Sequence, residues 1–291
     1  MTTAHQELPG RTGGPGPGST PAEASGDATS SHASGGEGRP KRLLLQVTGI
    51  VVAIVVWYLF AKGRGHHLGV PLPSQVVHKL VDMGQTGHFW TSLRQTVVSA
   101  LVGFVCSIVV GVPLGLLNGV NKRITLSSQF LLDFLRTIPP IAIMPLLLLV
   151  YGGSFKMVVV LIMFGSVWPV LLQATYAMQQ VSPQLKQVGV AYHLGRGDTF
   201  RYIYWPSVLP FLMTGLRIAL TLSLLLAVVG GYFGQAPGLG KDLNDTLLGG
   251  DTAAMFVYAF VVALLGVLLN TAFVFAQRRL LAWHPSVRGG R

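Results

Sequence analysis

Six long apolar runs constrain this chain more than any other feature: residues 43–61, 95–118, 127–151, 155–176, 208–234 and 255–276. A helix needs about 20 such residues to cross a ~30 Å hydrocarbon core. The charge content points the same way. Only 11% of the 291 residues are Asp, Glu, Lys or Arg, against about 25% in a soluble globular domain. The expected class is therefore an all-α integral membrane protein with six transmembrane helices.

The formal charge of +11 has two readings, and its distribution separates them. Nucleic-acid binding needs a basic face on a folded soluble domain. Membrane proteins instead gather Lys and Arg in short cytoplasmic loops. With the N-terminus inside, the inner segments hold Arg39, Lys41, Arg42, Lys122, Arg123, Lys186, Arg196, Arg201, Arg278, Arg279, Arg288 and Arg291. The outer segments hold Lys62, Arg64, Lys79, Lys156 and Lys241. That bias favours an even span count and both termini in the cytoplasm; the expected location is the plasma (inner) membrane. The expected contact is membrane lipid, not nucleic acid.

Residues 1–42 read as a disordered cytoplasmic tail, because the stretch to residue 38 is rich in Gly, Ser, Thr, Pro and Ala and too poor in apolar residues to offset ordering entropy. It has no apolar core of a signal peptide. Residues 43–280 form the membrane domain, and 281–291 a basic cytoplasmic tail. Gly111, Pro113 and Gly115, and then Pro139, Pro140 and Pro145, read as breakers that kink the second and third spans around a cavity. Ser74 is the expected N-cap of a short interfacial helix carrying Val76, Val77, Leu80 and Val81 on one face. The one cysteine, Cys106, lies in an apolar run and reads as a small buried hydrophobe. No metal site is expected, and the adjacent His66 and His67 carry little weight as ligands.

Residues 177–207 are too long for a plain connector between helices. Ser182 and Pro183 are a cap and a first helical residue, and Leu185, Val188, Gly189 and Tyr192 share a helical face. Gly195 and Gly197 stop that helix, and Asp198 is expected to cap a second short helix, Thr199–Trp205. Such a helix–turn–helix has the shape to dock in another protein's groove. It could equally lie on the bilayer as a basic amphipathic helix.

The loop resembles the signature of binding-protein-dependent ABC importer permeases: Glu-Ala-Ala, three residues, Gly, nine residues, Ile-x-Leu-Pro. Gln187, Val188 and Gly189 stand at the first three positions, His193 at the Gly, Ile203 at the Ile, Trp205 at the Leu and Pro206 at the Pro. The spacing is kept, though several identities differ. Pro71-Leu72-Pro73-Ser74-Gln75-Val76, Gly111-Val112-Pro113-Leu114-Gly115, Phe134 to Ala142 and Gly238-Leu239-Gly240 are similar to segments of the nitrate, sulfonate and taurine branch.

The resemblance implies a type I ABC permease fold over about residues 43–280. It implies a second permease copy, identical or not, an extracytoplasmic solute-binding protein, and ATPase subunits that grip residues 183–205. The chain has no Gly-x-x-x-x-Gly-Lys-Ser/Thr phosphate loop, so ATP and Mg belong to the partner. The chain is expected to be a non-catalytic subunit with no cofactor of its own. Arg136 and Arg217 are the candidate pathway residues, although Arg136 can pair with Asp133 one turn away, and Arg217, about two turns into its span, can reach for the interface. Gln173, Thr221 and Ser223 read as helix–helix contacts. Where the family often has Glu, this chain has Gly231. With Gln187 and His193, that departure suggests either a heteromeric permease pair or ordinary divergence. The rival is an ion-gradient-driven secondary transporter, which needs intramembrane carboxylates. Asp133 is the one Asp in an expected span, and no Glu follows Glu37.

Overall fold

A computed structural model describes residues 39–63, 65 and 69–281. The expected tail to residue 38, His66, His67, and the basic segment beyond residue 281 lie outside them. The chain divides into two units at Ile50, and the second, Val51–Arg291, holds the packing described below.

The elements are α1 (Arg39–Lys62), α2 (Pro73–Gly84), α3 (Gly87–Val120), α4 (Lys122–Thr137), a 3-10 turn (Pro140–Ile143), α5 (Met144–Tyr151), α6 (Phe155–Gln179), α7 (Pro183–Ala191), α8 (Arg196–Thr199), a π-helical turn (Phe200–Tyr204), α9 (Trp205–Gly234), α10 (Leu239–Leu248) and α11 (Thr252–Leu280). The described residues contain no strand.

Four stretches are long and apolar enough to cross a membrane: α3, α6, α11 and the continuous run Arg196–Gly234. The third expected span differs. It is a bent pair, α4 followed by Pro140–Tyr151, turned by 73°. Pro139 and Pro140 cause the break, since neither offers an N–H and each disfavours helix in the residue before it. The apolar part of α1 in the described residues is Thr48–Lys62, short of the ~20 residues a full crossing takes.

The glycines of α3 do not act as expected. α3 runs uninterrupted through Pro113 for 34 residues. Ser99, Gly103, Ser107, Gly111, Gly115 and Gly119 recur every fourth residue along it, all buried. A Cβ on Gly103 would stand 2.5 Å from Ile162, and one on Gly115 would overlap the Leu171 carbonyl. This stripe of small residues lets α3 and α6 touch backbone to backbone. In lipid, such close contact supplies the association that a hydrophobic driving force cannot.

α6 in turn packs on α9 through Val158, Leu161, Leu226 and Ala227. Ser166 and Ser223 exchange a buried hydrogen bond of 3.0 Å between these helices, and Gly215 admits the Gln173 side chain. Thr221, by contrast, donates to Arg217 O of its own helix and is exposed. Cys106 is half-buried.

α2, α10 and the start of α11 gather at one end. Ser74 does not cap α2. The helix starts at Pro73, and Gln75 Oε1 accepts from Leu72 N at 2.9 Å. Val76 is buried there with Phe89, Leu239 and Val257, whereas Val77 and Val81 stay exposed. Leu239 N donates to Thr96 Oγ1 at 2.8 Å, which ties the Gly238-Leu239-Gly240 turn to α3. Gly238 holds φ +143° with Thr96 where a Cβ would be.

Candidate functional site: the 183–205 element and a polar stripe on α9

At the opposite end of the bundle, residues 182–205 form a closed helix–turn–helix. Ser182 Oγ accepts from Leu185 N, the expected N-cap. The helix ends in a Schellman turn. Leu194 N donates to Gly189 O and His193 N to Val190 O, both at 3.0 Å, the 6→1 and 5→2 pattern of that motif. His193 occupies the left-handed position at φ +49°, where glycine is the residue without a steric penalty. The glycine of the signature thus has a physical reason, and this chain departs from it.

The second helix corrects the sequence expectation. It starts at Arg196 with Gly195 as N-cap, so Asp198 lies in its first turn. It does not end at Trp205 but passes through the π-helical turn into α9. Pro206 and Pro210 lack the N–H groups that would bond Tyr202 O and Pro206 O. A widened turn beside them keeps the axis continuous, as π-bulges do. The second helix is therefore continuous with α9, a single run from Arg196 to Gly234.

Gly189 differs from Leu185, Val188 and Tyr192, the exposed residues with which it was expected to share a helical face. It is buried, and its neighbour is Ile203 of the same chain, itself 6% exposed. Gly189 and Ile203 close the helix pair upon itself. Leu185, Val188, Val190, Tyr192, Phe200, Tyr202 and Trp205 remain exposed, as do Gln187, Lys186, Arg196 and Arg201. Of the seven signature positions, Gly189 and Ile203 are internal, His193 shapes the turn, and Pro206 lies in the first turn of α9. Gln187, Val188 and Trp205 face outward.

A cavity of about 530 Å³ lies where this element meets the bundle, lined by Asn118, Thr125, Asp133, Thr175, Tyr176 and Lys186 among others. Asn118 organises it: Nδ2 donates to Thr175 Oγ1, and Oδ1 accepts from Ser128 Oγ. No motif signals this network in the sequence, because its members lie on α3, α4 and α6.

Arg136 and Asp133 pair at 3.1 Å. They sit at the corner of the bent pair, not near the end of a span. Arg217 lies about three turns past Trp205 and is exposed, in line with exposed Thr214 and Thr221 on α9. Its Nε donates to Asn270 Oδ1 of α11 at 2.8 Å. Asn270 was not singled out by the sequence.

Gly231 has a local explanation. A Cβ there would meet Gly240 Cα and Lys241 N at 3.1 Å, and Gly240 itself touches Val228 and Tyr232. A side chain there would need the Gly240–Lys241 backbone to give way by a few tenths of an ångström, which is a local reason for Gly where the family often has Glu.

Residues 107–282 match the family model described as binding-protein-dependent transport system inner membrane component, more than half of the chain. The chain belongs to that family. The permease is 29% identical over 233 residues to the formylaminopyrimidine transport permease protein ThiX of Halalkalibacterium halodurans, covering 80% of this chain and 93% of the relative. It is 26% identical over 245 residues to the nitrate import permease protein NrtB of Synechocystis, covering 81% and 88%. The taurine transport system permease protein TauC of Escherichia coli is 24% identical over 256 residues, with 85% and 92% covered. The inward-facing methionine ABC transporter MetNI shares the fold, with a TM-score of 0.54 at 22% identity over 66% of this chain and 94% of that one. The permease is thus the membrane-spanning subunit of an ATP-driven importer in the nitrate, sulfonate and taurine branch, and the ion-gradient alternative falls away.

Proposed function

We propose that residues 183–205 are the docking surface through which a partner ATPase drives this permease, and that the α9 stripe around Arg217 faces the solute passage between two permease chains. One observation carries the docking reading. A helix pair closed on its own Gly189–Ile203 contact leaves Leu185, Val188, Tyr192, Phe200 and Trp205 exposed beside Lys186, Arg196 and Arg201. Aromatic and arginine side chains around an apolar centre are the composition of an interaction hot spot. ATP and Mg are then used by the partner, since this chain has no phosphate loop. An extracytoplasmic binding protein delivers the solute at the α2–α10 end.

In this reading the 183–205 element and both termini lie in the cytoplasm of a plasma membrane, consistent with the Lys/Arg bias. The solute is small, of the kinds named for the relatives: formylaminopyrimidine, nitrate, aliphatic sulfonates, bicarbonate or taurine. The two permease chains are identical or different. The local reason for Gly231 leaves only Gln187 and His193 as motives for a different one.

A photo-crosslinking residue at Tyr192 tests the docking surface, with one at exposed Gly249 at the other end as control. Tyr192 is expected to give an adduct with the ATPase polypeptide and Gly249 none. Adducts with lipid alone at Tyr192 would refute docking.

A further inference from the structure

We infer that Arg217 and Asn270 form an anion-binding station in the passage, taking a solute whose reactive end is an oxyanion such as nitrate, a sulfonate or a carboxylate. This rests on the pathway reading above and adds the charge of the cargo to it.

The depth of the pair matters first. Asn270 lies about two turns, roughly 12 Å, before Arg278 at the basic end of α11. A guanidinium at that depth is costly unless it meets water, a counter-ion or a partner. It does not shed its proton. The ion pairs among the described residues are Lys79–Asp251 and Arg136–Asp133, and His88 hydrogen-bonds Asp242. Among the described residues no carboxylate reaches Arg217, and its one side-chain partner is the neutral amide oxygen of Asn270, which accepts from Nε.

That bond leaves the two terminal nitrogens with four N–H donors and ties the stem of the guanidinium to α11 through Nε. A planar fork with its stem anchored is the geometry that binds a carboxylate, sulfonate or nitrate through two parallel hydrogen bonds. Thr214 and Thr221, one turn to either side, are exposed on the same line of α9. They extend the polar line of α9 on either side of Arg217, with the Thr221 hydroxyl bonded back to Arg217 O. A neutral solute would pass this point without meeting the charge, whereas an anion is stabilised while it is there and released as the helices move.

The test uses the assembled complex of permease and ATPase in phosphatidylcholine nanodiscs, with thiocyanate as the probe and its nitrile stretch as the readout. Saturable thiocyanate binding is expected, displaced by nitrate. Arg217→Gln should weaken it about tenfold or more, the scale of a charged hydrogen-bonded contact, and Arg217→Lys should retain most of it. Adding phosphatidylglycerol separates a free anion from a lipid headgroup. Displacement by that lipid but not by nitrate would overturn the inference, as would equal thiocyanate binding in wild type and Arg217→Gln. A second arm isolates the pathway reading. Arg217→Cys in a Cys106→Ser background should react with a water-soluble thiosulfonate reagent. If it does not, α9 is sealed there and the pathway reading fails. If it reacts while thiocyanate binding is unaltered by Arg217→Gln, the anion inference alone fails.

Discussion

Gly189 and Ile203 meet across the turn of the 183–205 element so closely that a Cβ on Gly189 would stand 2.9 Å from Ile203 Cδ1. The atom it meets is the free end of a side chain. Gly189→Ala therefore needs only a small shift of Ile203, and gains helix propensity of up to about 1 kcal/mol. Gly189→Asp instead places a charge inside the closed pair, at a cost on the order of 3 kcal/mol. Limited proteolysis of the membrane-inserted protein should find the Ala variant as resistant as wild type between residues 183 and 205. The Asp variant should be cleaved there while its spans stay protected. Equal resistance of both would mean that Gly189 is not an internal contact.

His193 holds a left-handed backbone at the C-terminal turn of α7. Such a conformation costs a residue with a side chain about 1–2 kcal/mol relative to glycine, and part of that returns as extra freedom in the unfolded chain. His193→Gly should stabilise the turn by about 0.5–1 kcal/mol, and His193→Val should destabilise it, since a β-branched residue tolerates positive φ least. Hydrogen exchange at Leu194 N, which bonds to Gly189 O, should slow in the first variant and quicken in the second.

At the other end, Asp251 joins α2 to α11. It accepts from Lys79 Nζ at 2.7 Å and from Ala254 N as the N-cap of α11. The Lys79 contact, and then the Ala254 N–H, hold its carboxyl below the usual range. A depressed acid contributes stability that is fully present above its unfolded pKa of about 3.9 and is lost as pH falls through the lower folded value. Protection of α2 from hydrogen exchange should therefore drop below about pH 4. Asp251→Asn keeps an N-cap acceptor but removes the charge, so its α2 protection should be lower at neutral pH and flat across this range.

The membrane class was legible because apolar length is a strong signal, and α3, α6, α9 and α11 fall where their runs are. The N-cap at Ser182 was legible for the same local reason. What failed were judgements about glycine and proline. Gly111 and Gly115 look like helix breakers in one dimension, yet in three they are the contact line with α6. Their period of four, shared with Ser99, Gly103, Ser107 and Gly119, was the available sign. Pro139 and Pro140 were read as a kink and are a break, because consecutive prolines remove two donors at once. Ser74 and Asp198 are good caps in isolation. The helices start earlier, with Leu72 as N-cap two residues before Ser74 and Gly195 three residues before Asp198. The Asn118–Thr175 and Arg217–Asn270 bonds join residues more than fifty positions apart, and no local pattern announces them.

The central claim is that the outward face of residues 183–205 holds the ATPase, and Tyr192→Asp tests it most directly. Tyr192 is 76% exposed, so the substitution leaves the element's own Gly189–Ile203 contact and the spans intact. The measurement is ATP hydrolysis that co-purifies with the tagged permease, normalised to the amount of permease inserted. Normal insertion with a loss of about tenfold or more in co-purifying hydrolysis is the predicted result, the scale of a disrupted desolvated contact. Normal insertion with undiminished co-purifying hydrolysis would contradict the account.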